Sequence, residues 1–286
     1  MKEIVVISGK GGTGKTVMAG ALAALAKNKI MVDCDVDAAN LHLILSPEIK
    51  EKHIFQGGTV AYIEKDLCSE CGQCVDVCRF DAISEDFVVD PISCEGCEFC
   101  GLVCPVGAMQ IKEKISGEWY ISDTKYGPFV HAKLGIAEDN SGKLVALIKQ
   151  KAKEIAEEQK LSWLIIDGAP GIGCPVIASL SGVHCALVVT EPTLSGLHDA
   201  ERVIKVARQF GADVKLVVNK YDLNKDMTAK IEDYCRENDI QLIGKIGFDE
   251  NIVRAVVDGK TIMDCPDGKT KSEVVKIWDA LRESVK

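Results

Sequence analysis

Short apolar segments alternate with stretches of helical periodicity over most of this chain. Residues 4–7, 30–32, 163–166, 186–189, 214–218 and 241–246 are brief apolar runs that read as strands. Apolar positions recur at helical spacing over residues 17–27, 142–159, 195–209, 225–237 and 270–284. Strands that alternate with helices in this way form a mostly parallel sheet flanked by helices, so the predicted fold class is α/β. The alternation stops between about Gly57 and Lys112, where cysteines replace the periodic apolar positions. After it, Trp119-Tyr-Ile121 and Phe129-Val-His131 predict a small hairpin around Lys125-Tyr-Gly127. The last segment carries Trp278 and Leu281 at helical spacing but also Asp279 and Glu283, which predicts a core-packing helix and not a basic membrane-surface one.

Composition narrows this picture. A hydrophobic fraction of 47% is ample for a packed core. The net charge of −9 argues against a nucleic-acid partner, which requires clustered positive charge. No apolar run approaches the roughly 18 residues of a membrane helix, and the apolar start is too short for a secretory signal. The expectation is a cytoplasmic protein with neither nucleic-acid nor membrane partner. In that compartment the 13 cysteines are metal ligands or thiols more often than disulfides.

The first strand leads into Gly9-Lys10-Gly11-Gly12-Thr13-Gly14-Lys15-Thr16 and then a helix. This is the context of a phosphate loop, where successive backbone N–H groups and a helix N-terminus converge on phosphate oxygens. Gly11, Gly12 and Gly14 allow close approach, Thr13 completes the loop, Lys15 reaches the outer phosphates and Thr16 coordinates Mg²⁺. The plainer alternative is a glycine turn. Asp33-Cys-Asp35-Val-Asp37-Ala-Ala-Asn40 lies at the carboxyl end of the second strand, where open α/β sheets bind ligands. Asp167-Gly-Ala-Pro-Gly171 and Asn219-Lys-Tyr-Asp222 each follow a strand of their own.

Lys10 makes the loop resemble the deviant phosphate loop of the MinD/ParA/Mrp and nitrogenase iron-protein superfamily. The resemblance implies an ATPase that binds ATP/ADP with Mg²⁺ and pairs with a second copy through its nucleotide face. It implies that Lys10 reaches the partner's nucleotide, that Asp35 positions the attacking water with Lys10 and Lys15 as the other catalytic groups, and that Asp167 lies beside the Mg²⁺. The family places an asparagine such as Asn219 against adenine. Yet Asn219-Lys-Tyr-Asp222 also matches the motif by which GTPases read guanine, with Asp222 as the base contact. Both nucleotides remain open here, with the loop favouring ATP. Glu191-Pro-Thr193 resembles the family too, without a role.

Eight cysteines form two matching runs, Cys68-x2-Cys71-x2-Cys74-x3-Cys78 and Cys94-x2-Cys97-x2-Cys100-x3-Cys104, offset by 26 residues. The echo continues from Cys78-Arg-Phe-Asp-Ala-Ile-Ser84 to Cys104-Pro-Val-Gly-Ala-Met-Gln110, which points to a duplicated half-domain. The spacing resembles that of bacterial two-cluster ferredoxins, a small α+β fold, where each fourth cysteine ligates the other run's cluster. That resemblance implies two [4Fe–4S] clusters, one on Cys68, Cys71, Cys74 and Cys104, the other on Cys94, Cys97, Cys100 and Cys78. Zinc is the alternative, but it ordinarily takes paired arms with a longer spacer. Arg79 departs from the proline that Pro105 keeps. Cys174, beyond Asp167, reads as a buried structural thiol; the nitrogenase iron protein has a cluster ligand near there. Cys34, Cys185, Cys235 and Cys265 are expected to pack.

The expected organisation is a discontinuous P-loop ATPase domain, residues 1–56 and 114–286, interrupted by a ferredoxin-like insert, residues 57–113. The expected function couples nucleotide state to electron transfer, with a redox partner. The alternatives are an Mrp-like cluster or metal carrier with a cluster-acceptor partner and, less favoured, a MinD/ParA-type positioning protein.

Overall fold

The computed structural model describes residues 1–135, 138 and 141–285. The chain divides into two compact units. The first comprises residues 1–53, 119–133 and 141–286, the second residues 54–118 and 134–140.

The first unit holds a parallel sheet. Its strands are β1 (Lys2–Ser8), β2 (Lys29–Asp33), β5 (Gly127–Leu134, its last residue counted with the second unit), β6 (Trp163–Pro170), β7 (Cys185–Thr190), β8 (Asp213–Asn219) and β9 (Gln241–Ile246). They run in the order β5-β2-β6-β1-β7-β8-β9, with every neighbouring pair parallel. β1, β2 and β7 are buried along nearly their whole length. Both faces of such a strand are covered, which is why the sequence shows continuous apolar runs there and no alternation.

The covering helices are α1 (Lys15–Leu25), the short α2 (Leu41–Leu45), α5 (Ser141–Glu158), α6 (Cys174–Leu180), α7 (Leu194–Gln209), α8 (Lys225–Glu237), α9 (Glu250–Val257) and α10 (Lys269–Ser284). Their starts are chemically marked. The Thr193 hydroxyl accepts from Gly196 N at the head of α7, Asn224 accepts from Met227 N at α8, and Asp249 accepts from Asn251 N at α9. α10 buries Ile277, Trp278 and Leu281, with Trp278 edge-on to Trp163 at 5.4 Å. The last predicted helix thus packs into the core, among Leu22, Ile165 and Leu187.

The hairpin predicted at 119–131 is the end of β4 (Met109–Thr124) and the start of β5, turning at Thr124–Gly127. The structure also has elements that the periodicity missed. β3 (Glu48–Ile63) and β4 are each 16 residues long, and the chain passes between the units within them. Their burial is irregular along the strand, so neither a period of two nor a continuous apolar run marks them. α6 and α9 were also missed: α6 has only seven residues, and in α9 the β-branched run Ile252-Val-Arg-Ala-Val-Val257 imitates a strand.

The second unit contains α3 (Gln73–Asp76) and α4 (Phe99–Val103), one from each cysteine run, packed against each other. Ala61, Ile63, Ile83, Cys100 and Met109 form its small core, with Cys68, Cys74, Cys78, Cys94 and Cys104 packed on it.

Candidate functional site

β1 delivers the phosphate loop and α1 receives it. Gly14 precedes α1 at φ 95°, and Gly12 also has a positive φ of 80°. A side chain at Gly14 is excluded twice: by the left-handed backbone and by space, since a Cβ would lie 2.3 Å from Asn219 Nδ2. That amide donates to the Thr13 carbonyl at 2.8 Å, so the end of β8 clamps the loop. Ser8 Oγ adds a bond to the Lys10 carbonyl.

Lys15, the first residue of α1, is buried and faces two carboxylates. Its Nζ lies 2.8 Å from Asp167 Oδ1 and 3.3 Å from Asp35 Oδ2. Sheet register explains the gathering, because Asp33 and Asp167 are paired residues on the parallel strands β2 and β6. Asp33 spends its oxygens on the backbone, accepting from Asp35 N at 3.1 Å and from Leu41 N at 3.2 Å. It shapes the loop that carries Asp35. Asp37 is more exposed and lies apart from these bonds.

Three carboxylates thus surround one ammonium in a buried pocket. Burial and the charge of Asp167 push Asp33 up to about 8, and burial also raises Asp35. For Lys15 burial alone would lower the pKa, but Asp167 and Asp35 outweigh it and hold the ammonium charged. Asp167 Oδ2 and Thr13 Oγ1 are buried without a partner. An orphaned carboxylate oxygen beside surplus negative charge is a donor set suited to a divalent cation. Thr16 is half-buried on the next position of α1.

Beside the loop lies a largely apolar cavity with about 910 Å³ of atom-free space, part of it open to solvent. Gly12, Gly14 and Asn219 form one wall, and Phe248, Ile252 and Val256 another. The apolar wall was not foreseen. Its signal was present as Asp249 and Gly259 bracketing an apolar helix. Asn219 lines this cavity but Asp222 does not. Asp222 Oδ1 instead accepts from Phe248 N at 2.8 Å, tying the segment after β9.

Lys10 is held within its own chain. Its Nζ pairs with Glu191 Oε1 at 2.6 Å and donates to Ser195 Oγ and Thr193 Oγ1. Lys220 Nζ also approaches Glu191, at 3.5 Å. Burial raises Glu191, and the two lysines more than offset it, leaving the carboxylate below its usual range. The Glu191-Pro-Thr193 segment therefore has a contact that its sequence did not disclose.

In the second unit the cysteines line two separate small cavities. Cys68, Cys71, Cys74 and Cys104 line one, with about 320 Å³ of atom-free space partly open to solvent. Cys78, Cys94, Cys97 and Cys100 line the other, with about 370 Å³. Backbone amides point at three of the sulfurs: Glu70 N at Cys68, Ala82 N at Cys78, and several around Cys104. Burial raises the Cys104 thiol, but the amides of Met109, Val106, Ala108 and Gly107 together bring it below its ordinary value. None of the thirteen cysteines forms a disulfide. Among the described residues no three His, Cys, Asp or Glu side chains converge closely enough to hold a single metal ion.

Cys174 corrects an expectation. It is exposed and not buried, because it opens α6 directly after the glycine-rich turn at 171–173. Cys34, Cys185 and Cys235 are buried as expected, whereas Cys265 is only half-buried.

The match to known proteins extends over nearly all of this chain. An uncharacterized protein of Methanocaldococcus jannaschii, MJ0578, is 34% identical over 291 residues, covering 99% of this chain and 97% of the relative. The cytosolic Fe-S cluster assembly factor NBP35 of Eremothecium gossypii is 27% identical over 158 residues, which is 49% of this chain and 47% of that one. Among solved structures, the Pyrococcus furiosus cell division ATPase MinD superposes with a TM-score of 0.61 at 18% identity, covering 99% of this chain and 98% of its own. Residues 4–262, which include the loop, both aspartate segments and Asn219, match the model of the CobQ/CobB/MinD/ParA nucleotide binding domain, and the chain belongs to that family.

Proposed function

We propose that this protein is a Mg²⁺-dependent ATPase that carries two [4Fe–4S] clusters and couples nucleotide state to one-electron transfer. The family supports the nucleotide layer, and the buried charge pattern supports its mechanism. Lys15 pairs with Asp35 and Asp167. Phosphate oxygens at the loop compete for that ammonium. Asp35 then loses its cation partner and is free to orient a water, while Asp167 and Thr16 would hold Mg²⁺, which would supply positive charge against the phosphates. Lys10, released from Glu191, becomes available to a second copy across the nucleotide face, as the family resemblance implies. Phosphoryl transfer needs little else beyond position and charge. ATP is favoured over GTP because Asp222 is engaged by Phe248 N and lies off the cavity wall.

The cluster layer rests on one observation: each cavity recruits its fourth cysteine from the other run. Cys104 joins the first triplet and Cys78 joins the second. A four-iron cube takes one thiolate at each iron, so its sulfurs spread around a cavity and do not converge on a point. Amides directed at the sulfurs suit anionic thiolates. A cluster bound in each quartet supplies a one-electron couple. On this reading residues 57–113 form the insert and residues 1–56 and 114–286 the ATPase domain.

The test is ligand exchange between the runs. Cys104→Ser should alter the EPR signal of the cluster held by the first triplet, and Cys78→Ser that of the second. If each serine instead perturbs the cluster of its own run, the pairing is wrong. A second reading, cluster delivery to other proteins, draws on the partial similarity to NBP35 and on the exposed Cys174. Rapid transfer of iron and sulfide to an apo-ferredoxin, abolished by Cys174→Ser, would favour it.

A further inference from the structure

We infer that the second unit docks a basic electron-carrier protein on the face around the cavity of Cys78, Cys94, Cys97 and Cys100. The electron-carrier part of this inference rests on the cluster reading above; the docking face itself is read from surface chemistry.

Residues 54–118 contain twelve carboxylates against four lysines and arginines. Ten of the carboxylates fall between residues 64 and 98, where the cations are Lys65 and Arg79. Within this acidic surface lies an apolar centre. Leu102 is 82% exposed, Phe99 50% and Phe80 44%. Phe99 and Leu102 are one turn apart on α4 and share a face. Phe80 and Phe99 also line the second cavity, together with Glu95 and Glu98. Asp76 and Asp81 are exposed on either side of Cys78.

Large apolar groups left in water beside a cavity mark an interaction surface more often than chance exposure does. An apolar centre with a charged rim is the anatomy of a protein interface, in which aromatic residues anchor and rim charges steer the encounter. Here the rim is acidic, so the complementary occupant presents lysines and arginines around an apolar centre. Nucleic acid is excluded by the same charge. The first cavity lacks the combination: its lining contains no carboxylate, and Val106 is the one exposed large hydrophobic residue that lines it. An electron acceptor also gains from docking there, because the cavity wall itself is the contact surface. The exchange is one electron between two centres, with no bond made or broken.

The test uses the full chain, isolated without oxygen, with mitochondrial cytochrome c as the basic probe and a flavodoxin as the acidic one. Calorimetric binding is measured at low and high salt. Cytochrome c should bind, its Kd rising about tenfold or more between the two salts, and flavodoxin should not bind. Glu95→Lys with Glu98→Lys should weaken cytochrome binding at low salt by about tenfold, and Phe99→Ser with Leu102→Ser should weaken it at both salts. Asp226→Lys, on α8 of the first unit, should leave it unchanged. Equal binding of both probes, salt-independent binding of the wild type, or a Kd unmoved by either pair of substitutions overturns the proposal. So does sedimentation showing that the face joins two copies of this chain. Iron is counted on the same samples. Salt-dependent binding without iron removes the cluster reading and leaves the face, whereas full iron with unaltered binding removes the face and leaves the clusters.

Discussion

Replacing Lys15 by alanine should destabilise the protein even when no nucleotide is present. The ammonium is the cation that faces Asp167 at 2.8 Å and Asp35 at 3.3 Å, with Asp33 adjacent, all inside a buried pocket. Removing one partner of a buried ion pair leaves an uncompensated charge and typically costs about 3–5 kcal/mol. That is a large share of an ordinary folding free energy of about 5–15 kcal/mol. The cost must depend on pH. Asp33 already titrates near 8 in the wild type and Asp35 is raised. A carboxyl with a raised folded pKa contributes stability below its unfolded pKa and loses it as pH rises through the folded value. In Lys15→Ala the carboxyls rise further, so the loss should be largest at pH 8 and shrink toward pH 5. Millimolar Mg²⁺ should restore part of it at pH 8 and do little for the wild type. Urea unfolding followed by tryptophan fluorescence is the assay, since Trp119, Trp163 and Trp278 all lie in the first unit and report on it alone. A loss below about 1 kcal/mol, or an equal loss at pH 5 and pH 8, would refute the claim that Lys15 neutralises a strained carboxylate cluster.

Three further outcomes follow from other contacts. Glu191→Gln releases Lys10 from a partly exposed pair worth about 0.5–1 kcal/mol, so ATP-dependent self-association should tighten roughly two- to fivefold by sedimentation; weaker association would show that Glu191 assists the partner contact. Burial, with a smaller contribution from His42, lowers the His131 imidazole to about 4. Its proton is therefore bound more readily by the unfolded chain, and stability should fall by about 3 kcal/mol as pH drops from about 6.5 to about 4. His131→Phe should flatten that segment of the urea-midpoint profile, and a profile of unchanged slope would contradict it. Phe248→Ala opens the apolar wall of the nucleotide cavity and should raise the Kd for ATP about tenfold, measured with a fluorescent analogue; an unaltered Kd would place the base elsewhere.

The sheet was legible because its strands are buried on both faces, which leaves uninterrupted apolar runs such as residues 4–7 and 186–189. The phosphate loop was legible because Gly12 and Gly14 need positive φ and no other residue type suits the space at Gly14. β3 and β4 were not, since their exposure follows no period over 16 residues. Long-range pairings were equally hidden. Nothing local in Glu191-Pro-Thr193 reveals that it meets Lys10, about 180 positions away, and nothing local in Asn219-Lys-Tyr-Asp222 reveals the bond from Phe248 N to Asp222. Cys174 looked like a core thiol because free cysteine is commonly buried, but the turn before α6 presents it to solvent.

The two cysteine quartets carry the cluster reading, and iron and sulfide counted on anaerobically isolated protein test them most directly. About eight irons and eight sulfides per chain are predicted, four of each for each Cys₄ set, with Cys104→Ser and Cys78→Ser each disturbing the opposite run. Iron near zero with two tightly bound zinc ions per chain would contradict it.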